Sequence, residues 1–240
     1  AQDLRKFEAH SREVSPSTWN RRLVSLRLFF RFCKSAKLIN FNPMERAGLR
    51  RRKQQKAAPR GLNRNDFARL MRTVEQDLNA ARTENQRRLA LRNMAIFGAL
   101  AYGALRVGEV CELRRSDLLL SERKGQIRVE HGKGDKQGDV PLGREGRLAM
   151  QAWLEIHEDE RVFDGLSTRQ VERWLADVGK RAGVYVTPHM LRHTAIRRVL
   201  VSSGFDLALT QQFARHERGE QTMLYALPQE DEIALAVEDL

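Results

Sequence analysis

Apolar residues recur at helical spacing through most of the chain, which predicts a mainly helical fold. Residues 17–39, STWNRRLVSLRLFFRFCKSAKLI, read as one helix capped by Ser17 or Thr18. Leu23, Leu26, Phe30 and Cys33 form its apolar stripe, and Arg21, Arg22, Arg27, Arg31 and Lys34 occupy much of the rest. Asn42-Pro43 breaks the pattern. The stretch RRRKQQKAAPR at 50–60 is basic, non-periodic and closed by Pro59, and reads as a linker. A second domain starts at Gly61 with the helix NRNDFARLMRTVEQ, capped by Asn63 or Asn65. Residues 86–103 are apolar almost all round, so they are expected at the centre of the core. Another helix is expected over 106–119, starting at or just after Arg106.

The period then changes. QIRVEHGKGDKQGDVPL reads as strand, Gly-rich turn and strand, a β-hairpin. Helices are expected again over 144–157 and 167–182, in HMLRHTAIRRVLVSSG after Thr187-Pro188, over 206–215, and in a short segment at 220–227 that carries Tyr225. The tail EDEIALAVEDL is amphipathic and acidic. The expected class is therefore α+β, mainly helix with one small sheet or hairpin. Its parts are an N-terminal helical domain at 1–52, a linker at 53–60 and a larger domain at 61–240 ending in a tail at 228–240.

Length and composition narrow the possibilities. The 240 residues are 41% hydrophobic and 31% charged, enough for a packed core and too polar for a membrane protein. No apolar run approaches the ~20 residues of a spanning helix, and no secretory signal opens the chain. The first residue is not Met, as expected of a fragment or a processed start. Cys33 and Cys111 lie in apolar helical patterns and are expected to be buried free thiols, which fits a reducing cytoplasm. Charge is unevenly placed. Residues 1–60 hold sixteen Lys/Arg and four Asp/Glu, an excess of twelve that equals the net charge of the whole chain. Such a footprint suits a polyanion, and Arg-rich surfaces suit phosphate.

Several residues carry possible chemistry. Arg106 stands at a helix start with Glu109 one turn on, placed to orient or neutralise it. In HMLRHT, His189 and Arg192 share a helix face near the N-terminal end, where the dipole favours anions. His193 follows His189 at i+4, but Met190 stands where HExxH zinc sites have Glu, so no metal is assigned. His193 is read instead as a buried, hydrogen-bonded support. Lys133, in GKGD at 132–135, sits at the hairpin tip, where it can reach into a DNA groove. The P-loop pattern is absent there. His216 and Tyr225 follow in FARHERGEQTMLYAL; alone, such a Tyr reads as half-buried core.

Taken in order, ALRVGE, HGKGDKQGDVPL, HMLRHT and His216 with Tyr225 resemble the tyrosine recombinases, the integrase family. TWNRRLVSLRLFFRFCKSAKLINFNPMERAGL resembles their core-binding domain in the simple Xer-like or phage-integrase style. Two departures stand out. The motif that usually reads Leu-Gly-His is Ala214-Arg215-His216. The core-binding segment is short for four helices, so a truncated or reduced domain with no arm-binding extension is expected.

The resemblance implies a two-domain, C-shaped clamp on double-stranded DNA that acts at specific sites without cofactor or metal. It makes Tyr225 the nucleophile of a 3′-phosphotyrosyl intermediate on the way to a Holliday junction. His189 would help take its proton, Arg106 and Arg192 would grip the phosphate, Lys133 would protonate the leaving oxygen, and His216 would donate to a non-bridging oxygen. Arg21, Arg22, Arg27, Arg31 and Lys34 become candidate DNA contacts. Ile233, Leu235 and Val237 become candidates for docking on a neighbour in a tetramer. A type IB topoisomerase-like enzyme and a non-catalytic DNA-binding regulator are the competing readings. A cytoplasmic protein of bacterial or phage origin is implied.

Overall fold

The structure is a computed structural model and describes residues 2–53, 58–129, 138–163 and 165–228. The chain divides into two compact units, Ala1–Lys56 and Ala57–Leu240.

The first unit contains α1 (Gln2–His10), α2 (Pro16–Ser35) and α3 (Pro43–Ala47). The cap of α2 is Ser15, not Ser17 or Thr18, and its hydroxyl accepts from the Thr18 N–H at 3.2 Å. Pro16 fills the first helical position, where its missing N–H costs nothing. The helix ends at Ser35, short of residue 39. Leu4, Trp19, Leu23, Ala47 and Leu49 form the core of this unit, with Phe7 stacked on Trp19 at 6.1 Å.

The start of the basic run at 50–60 is not a free tether. The Trp19 indole N–H donates to the Arg50 carbonyl at 2.9 Å. Asn20 pairs both ways with the Arg52 backbone, each bond 2.9 Å. The Arg52 guanidinium donates to the carbonyls of Ser11, Arg12 and Val14 and lies over the Trp19 ring. The surface of α2 also differs from a purely basic face, since Leu28, Phe29 and Phe32 are exposed on it.

In the second unit α4 (Arg64–Asn79) is capped by Asn63, and α5 (Glu84–Tyr102) by Thr83 in a reciprocal pair with Gln86. As its all-round apolarity requires, α5 is the central helix: Ala95, Ala99 and Leu100 are inaccessible to solvent. It packs closely on α7 (Arg144–Leu154). A Cβ on Gly98 would meet the Gly146 Cα at 2.9 Å, so only glycine permits this approach.

The helix expected over 106–119 is a misreading beyond its first half. Only α6 (Val107–Glu112) is helical; a 3-10 turn at Arg115–Asp117 and a strand, β1 (Leu118–Leu120), follow. The cause is non-local pairing. The Leu113 carbonyl accepts from Val162 N at 3.0 Å, and Arg115 N donates to the Glu160 carbonyl at 2.7 Å, which draws the chain out of the helix. Among the described residues the sheet thus has three antiparallel strands, β1, β2 (Gly125–Val129) and β3 (Gly138–Pro141), in that order, so β1 joins the expected hairpin. Leu119 pairs with Gln126, and Ile127 with Val140.

Among the described residues the remaining helices are α8 (Thr168–Ala182), α9 (Pro188–Ser202), α10 (Leu207–Ala214) and α11 (Gly219–Met223). The segment expected as one helix at 220–227 is α11 followed by a 3-10 turn, Leu224–Ala226, and Tyr225 lies in the turn. Leu70, Ile96, Leu100, Ile127, Met150 and Leu175 belong to the main core. A smaller cluster gathers Ala104, Ala195, Ile196, Leu200, Ala214 and Tyr225. Cys33 is buried and Cys111 half-buried, both as free thiols. Among the described residues no helix is long and apolar enough to cross a membrane.

Candidate active site

The site is assembled from four short segments of the second unit. Thr187 caps α9 by accepting from Met190 N at 3.2 Å, and Pro188 occupies its first turn. This local geometry sets His189, Arg192 and His193 at the start of α9. Arg192 is almost fully buried, yet its charge is not idle. Its Nη1 donates to the Ala104 carbonyl and its Nη2 to the Ala214 carbonyl, the latter at 2.5 Å. One side chain thereby ties α9 to the loop before α6 and to the end of α10. One anchor is itself left-handed and the other adjoins a left-handed residue: Ala104 has φ 48°, and Arg215, next to Ala214, has φ 53°. Such conformations are costly for residues other than glycine and collect at functional sites.

Arg106 is the residue before α6. Its backbone N–H and its Nη1 both donate to Glu109, at 2.8 Å each. Glu109 also accepts two bonds from Arg215, at 3.1 and 2.6 Å. Burial pushes the Glu109 carboxyl up, but the bonds and charge of Arg215, with the bonds from Arg106, outweigh it and hold the group below its usual value. Burial depresses Arg192 to about 10, helped by the charges of Arg106 and Arg215; it still stays charged at neutral pH.

Arg215 closes α10 and delivers His216, whose Nδ1 lies 2.9 Å from the Thr222 hydroxyl oxygen on α11. The His216 and Tyr225 rings stack at 5.6 Å. The Tyr225 hydroxyl is 2.5 Å from the His193 Nδ1. Burial raises the Tyr225 phenol to about 12, with partial relief from the Arg192 charge. Burial lowers His193 to about 4, and the charges of His189 and Arg192 add to this. The same cause, with the charges of Arg192 and Arg106, lowers His216 to about 4. Near neutral pH the pair is therefore a neutral phenol donating its O–H to a neutral imidazole.

The fold thus brings Arg106, Arg192, His216 and Tyr225 into one site. His189 is on the same helix turn, but its ring is exposed and 6.3 Å from that of His193. Lys133 lies outside the described residues. His193, read from the sequence as a support, is the direct partner of the tyrosine. Thr222 joins the site through His216, and no local signal in the sequence marks it. The bond between Glu109 and Arg215 spans 106 residues of sequence. The only sign of it was the replacement of a glycine by Arg215.

The two depressed histidines predict an acid-sensitive fold. Unfolded, each would bind a proton near its ordinary value of 6.5; folded, near 4. Stability from this source is full above about pH 6.5 and is lost as pH falls toward about 4. Allowing for partial solvent exposure, we expect a loss on the order of 2 kcal/mol. Urea unfolding of the chain at neutral pH and at pH 4.5 reads it; a midpoint that holds or rises on acidification contradicts it.

The sequence profile of the phage integrase family matches residues 62–232. The chain belongs to the phage integrase family, and it is a tyrosine recombinase. The recombinase is 33% identical over 238 residues to tyrosine recombinase XerC of Chromobacterium violaceum, covering 94% of this chain and 75% of that one. It is 32% identical to tyrosine recombinase XerA of Thermococcus kodakarensis, covering 92% and 74%. Among solved structures, that of a XerA recombinase superposes with a TM-score of 0.62 at 26% identity, over 95% of this chain and 84% of that one.

Proposed function

We propose that the recombinase cuts and rejoins double-stranded DNA at specific sites through a covalent bond between Tyr225 and a 3′-phosphate. The observation that carries this is the Tyr225 hydroxyl seated on His193 beside Arg192 and His216. In the step, the phenol oxygen attacks phosphorus and the bond to the 5′-oxygen breaks. The phenol proton passes to His193 or His189, and Lys133 protonates the leaving oxygen. Arg106 and Arg192 meet the charge on the non-bridging oxygens, joined by His216. The phosphotyrosyl bond keeps the energy of the broken one, so attack by a second 5′-hydroxyl rejoins the strand and leads to a Holliday junction. No metal or nucleotide has a role in this reading.

Without DNA, a phenol pushed up to about 12 keeps its proton beside an imidazole lowered to about 4, and a bound phosphate's negative charge is what would raise the imidazole toward accepting it. The DNA-free arrangement is therefore a resting one, and the phosphate must bring the second half of the chemistry with it. The concentration of net charge in residues 1–60 supports duplex DNA as the partner. In this reading the two domains, 1–52 and 61–240, close on DNA as a clamp, and tetramers form through the acidic tail.

Covalent capture tests the reaction. Nicked duplexes from a randomised pool are incubated with the protein and resolved on a denaturing gel. A protein-linked band that retains a label on the 5′ end of the cleaved strand, with release of the downstream 5′-hydroxyl fragment, is expected. Tight non-covalent binding with no linked band would instead make the chain a regulator.

Among the candidate DNA contacts, some already have internal partners. Arg27 donates to the Leu49 carbonyl, Lys34 pairs with Glu45 at 3.5 Å, and Arg22 reaches Ser11. Arg21 and Arg31 are exposed. Replacing both by Ala is expected to weaken DNA binding and reduce the slope of log affinity against log salt by about two. A binding titration from low to moderate salt with an unchanged slope would remove them from the interface.

A further inference from the structure

Position 215 is an awkward place for an arginine. The backbone there is left-handed, φ 53° and ψ 46°, where glycine is the default and any other residue costs about 1 kcal/mol. The side chain is nevertheless well ordered by contacts: 14% exposed, it lays its fork on Glu109, Nη1 to Oε1 at 3.1 Å and Nη2 to Oε2 at 2.6 Å. Glu109 is 7% exposed and takes two more bonds from Arg106. Four donors occupy the roughly four lone-pair positions a carboxylate offers. Arg106 spends only Nη1 of its guanidinium on Glu109, and its side chain is 33% exposed, so part of it is open to solvent.

Without Arg215, Glu109 would neutralise Arg106 alone and keep two acceptor sites unfilled in a buried place. The carboxylate could then swing, and Arg106 would swing with it. With Arg215 present, three guanidinium groups, those of Arg106, Arg192 and Arg215, stand against one carboxylate. The site keeps a net positive charge for an anion.

We propose that Arg215 is a positioning residue for strand cleavage: it clamps Glu109, and through Glu109 it fixes Arg106 and leaves it positively charged toward the scissile phosphate. This rests on the reading of Arg106 as a phosphate ligand, and the test separates the two. The substrate is the nicked duplex that the wild-type protein captures best from the randomised pool. Single-turnover cleavage and non-covalent binding are measured for Arg215→Gln, Arg215→Lys, Arg215→Gly, Glu109→Gln, the double variant Glu109→Gln with Arg215→Gln, and Arg106→Ala.

Arg215→Gln is expected to cleave at least about tenfold more slowly with binding changed by less than about twofold. Lys, which keeps the charge but not the fork, should recover part of the rate. Arg215→Gly loses the same bonds to Glu109 but also sheds the backbone strain, so it should be the better folded of the two truncations and still be slow. This variant keeps the test decisive if Arg215→Gln is poorly folded. Because Arg215 acts through Glu109, the double variant should be no slower than Glu109→Gln alone. Additive losses mean that Arg215 touches DNA directly and overturn the proposal. So does a folded Arg215→Gly or Arg215→Gln variant that cleaves at the wild-type rate, or a loss that tracks binding. Normal cleavage by Arg106→Ala overturns the underlying site as well; loss in Arg106→Ala with normal cleavage by Arg215→Gln overturns the positioning role alone.

Discussion

Tyr225→Phe is expected to abolish the covalent adduct while leaving the fold and non-covalent DNA binding nearly intact. The phenyl ring preserves the packing against Ala104, Ala195, Ile196, Leu200 and Ala214. What disappears is one oxygen, the only atom in that turn able to attack phosphorus. The lost bond to the His193 Nδ1 costs about 1 kcal/mol, because the half-buried ring can find water instead. Tyr225→Ala would be a poor substitute. It empties a site that is 5% exposed and would cost about 3–5 kcal/mol, so lost activity could mean lost structure. Thermal melting beside the adduct gel separates the effects. An adduct persisting in Tyr225→Phe at anything near the wild-type yield removes Tyr225 as the nucleophile.

The elements that could be read from the sequence are those whose causes are local. Thr187-Pro188, Ser167 and Asn63 each cap a helix through their own hydroxyl or amide, and these starts were legible within a residue. The central helix α5 announced itself by apolarity on every side. Ser15 was missed as a cap because Ser17 and Thr18 are equally competent caps, and only Pro16 distinguishes the true start. The strand β1 was missed for a different reason. Leu118, Leu119 and Leu120 suit helix and strand alike, and pairing with Gly125–Val129 decides between them.

The site was legible as a set of residue types in order, and much less so as a set of contacts. Arg106, Arg192, His216 and Tyr225 were selected by motif, and the fold gathers them. The choice between His189 and His193 could not be made from spacing. Both sit on the first turns of α9, and only the turn that carries Tyr225 determines which imidazole meets the hydroxyl. The pairing of Arg215 with Glu109 depends on where the end of α10 falls against the start of α6, a tertiary fact with no local trace.

Arg192 carries the second large effect, and in it structure and chemistry cannot be separated. Replacing it with Ala leaves the carbonyls of Ala104 and Ala214 without their donors and opens a void among residues that are nearly all buried. A loss of about 3–5 kcal/mol is expected, enough to threaten the fold of the second unit. Arg192→Lys is the more informative change. An ammonium keeps the charge near the phosphate, but one nitrogen on a flexible stem cannot hold two carbonyls on two segments and face an anion as well. We expect a smaller loss, about 1–3 kcal/mol in urea unfolding, with cleavage slower by at least about a hundredfold. The two strained residues explain why rate should suffer more than stability. Ala104 and Arg215 are held at positive φ beside the carbonyls that Arg192 grips. Relaxing either would shift Arg106 or His216, which follow within two residues. Cleavage by a folded Arg192→Lys within about threefold of wild type would show that charge alone is required and that the clamp is incidental.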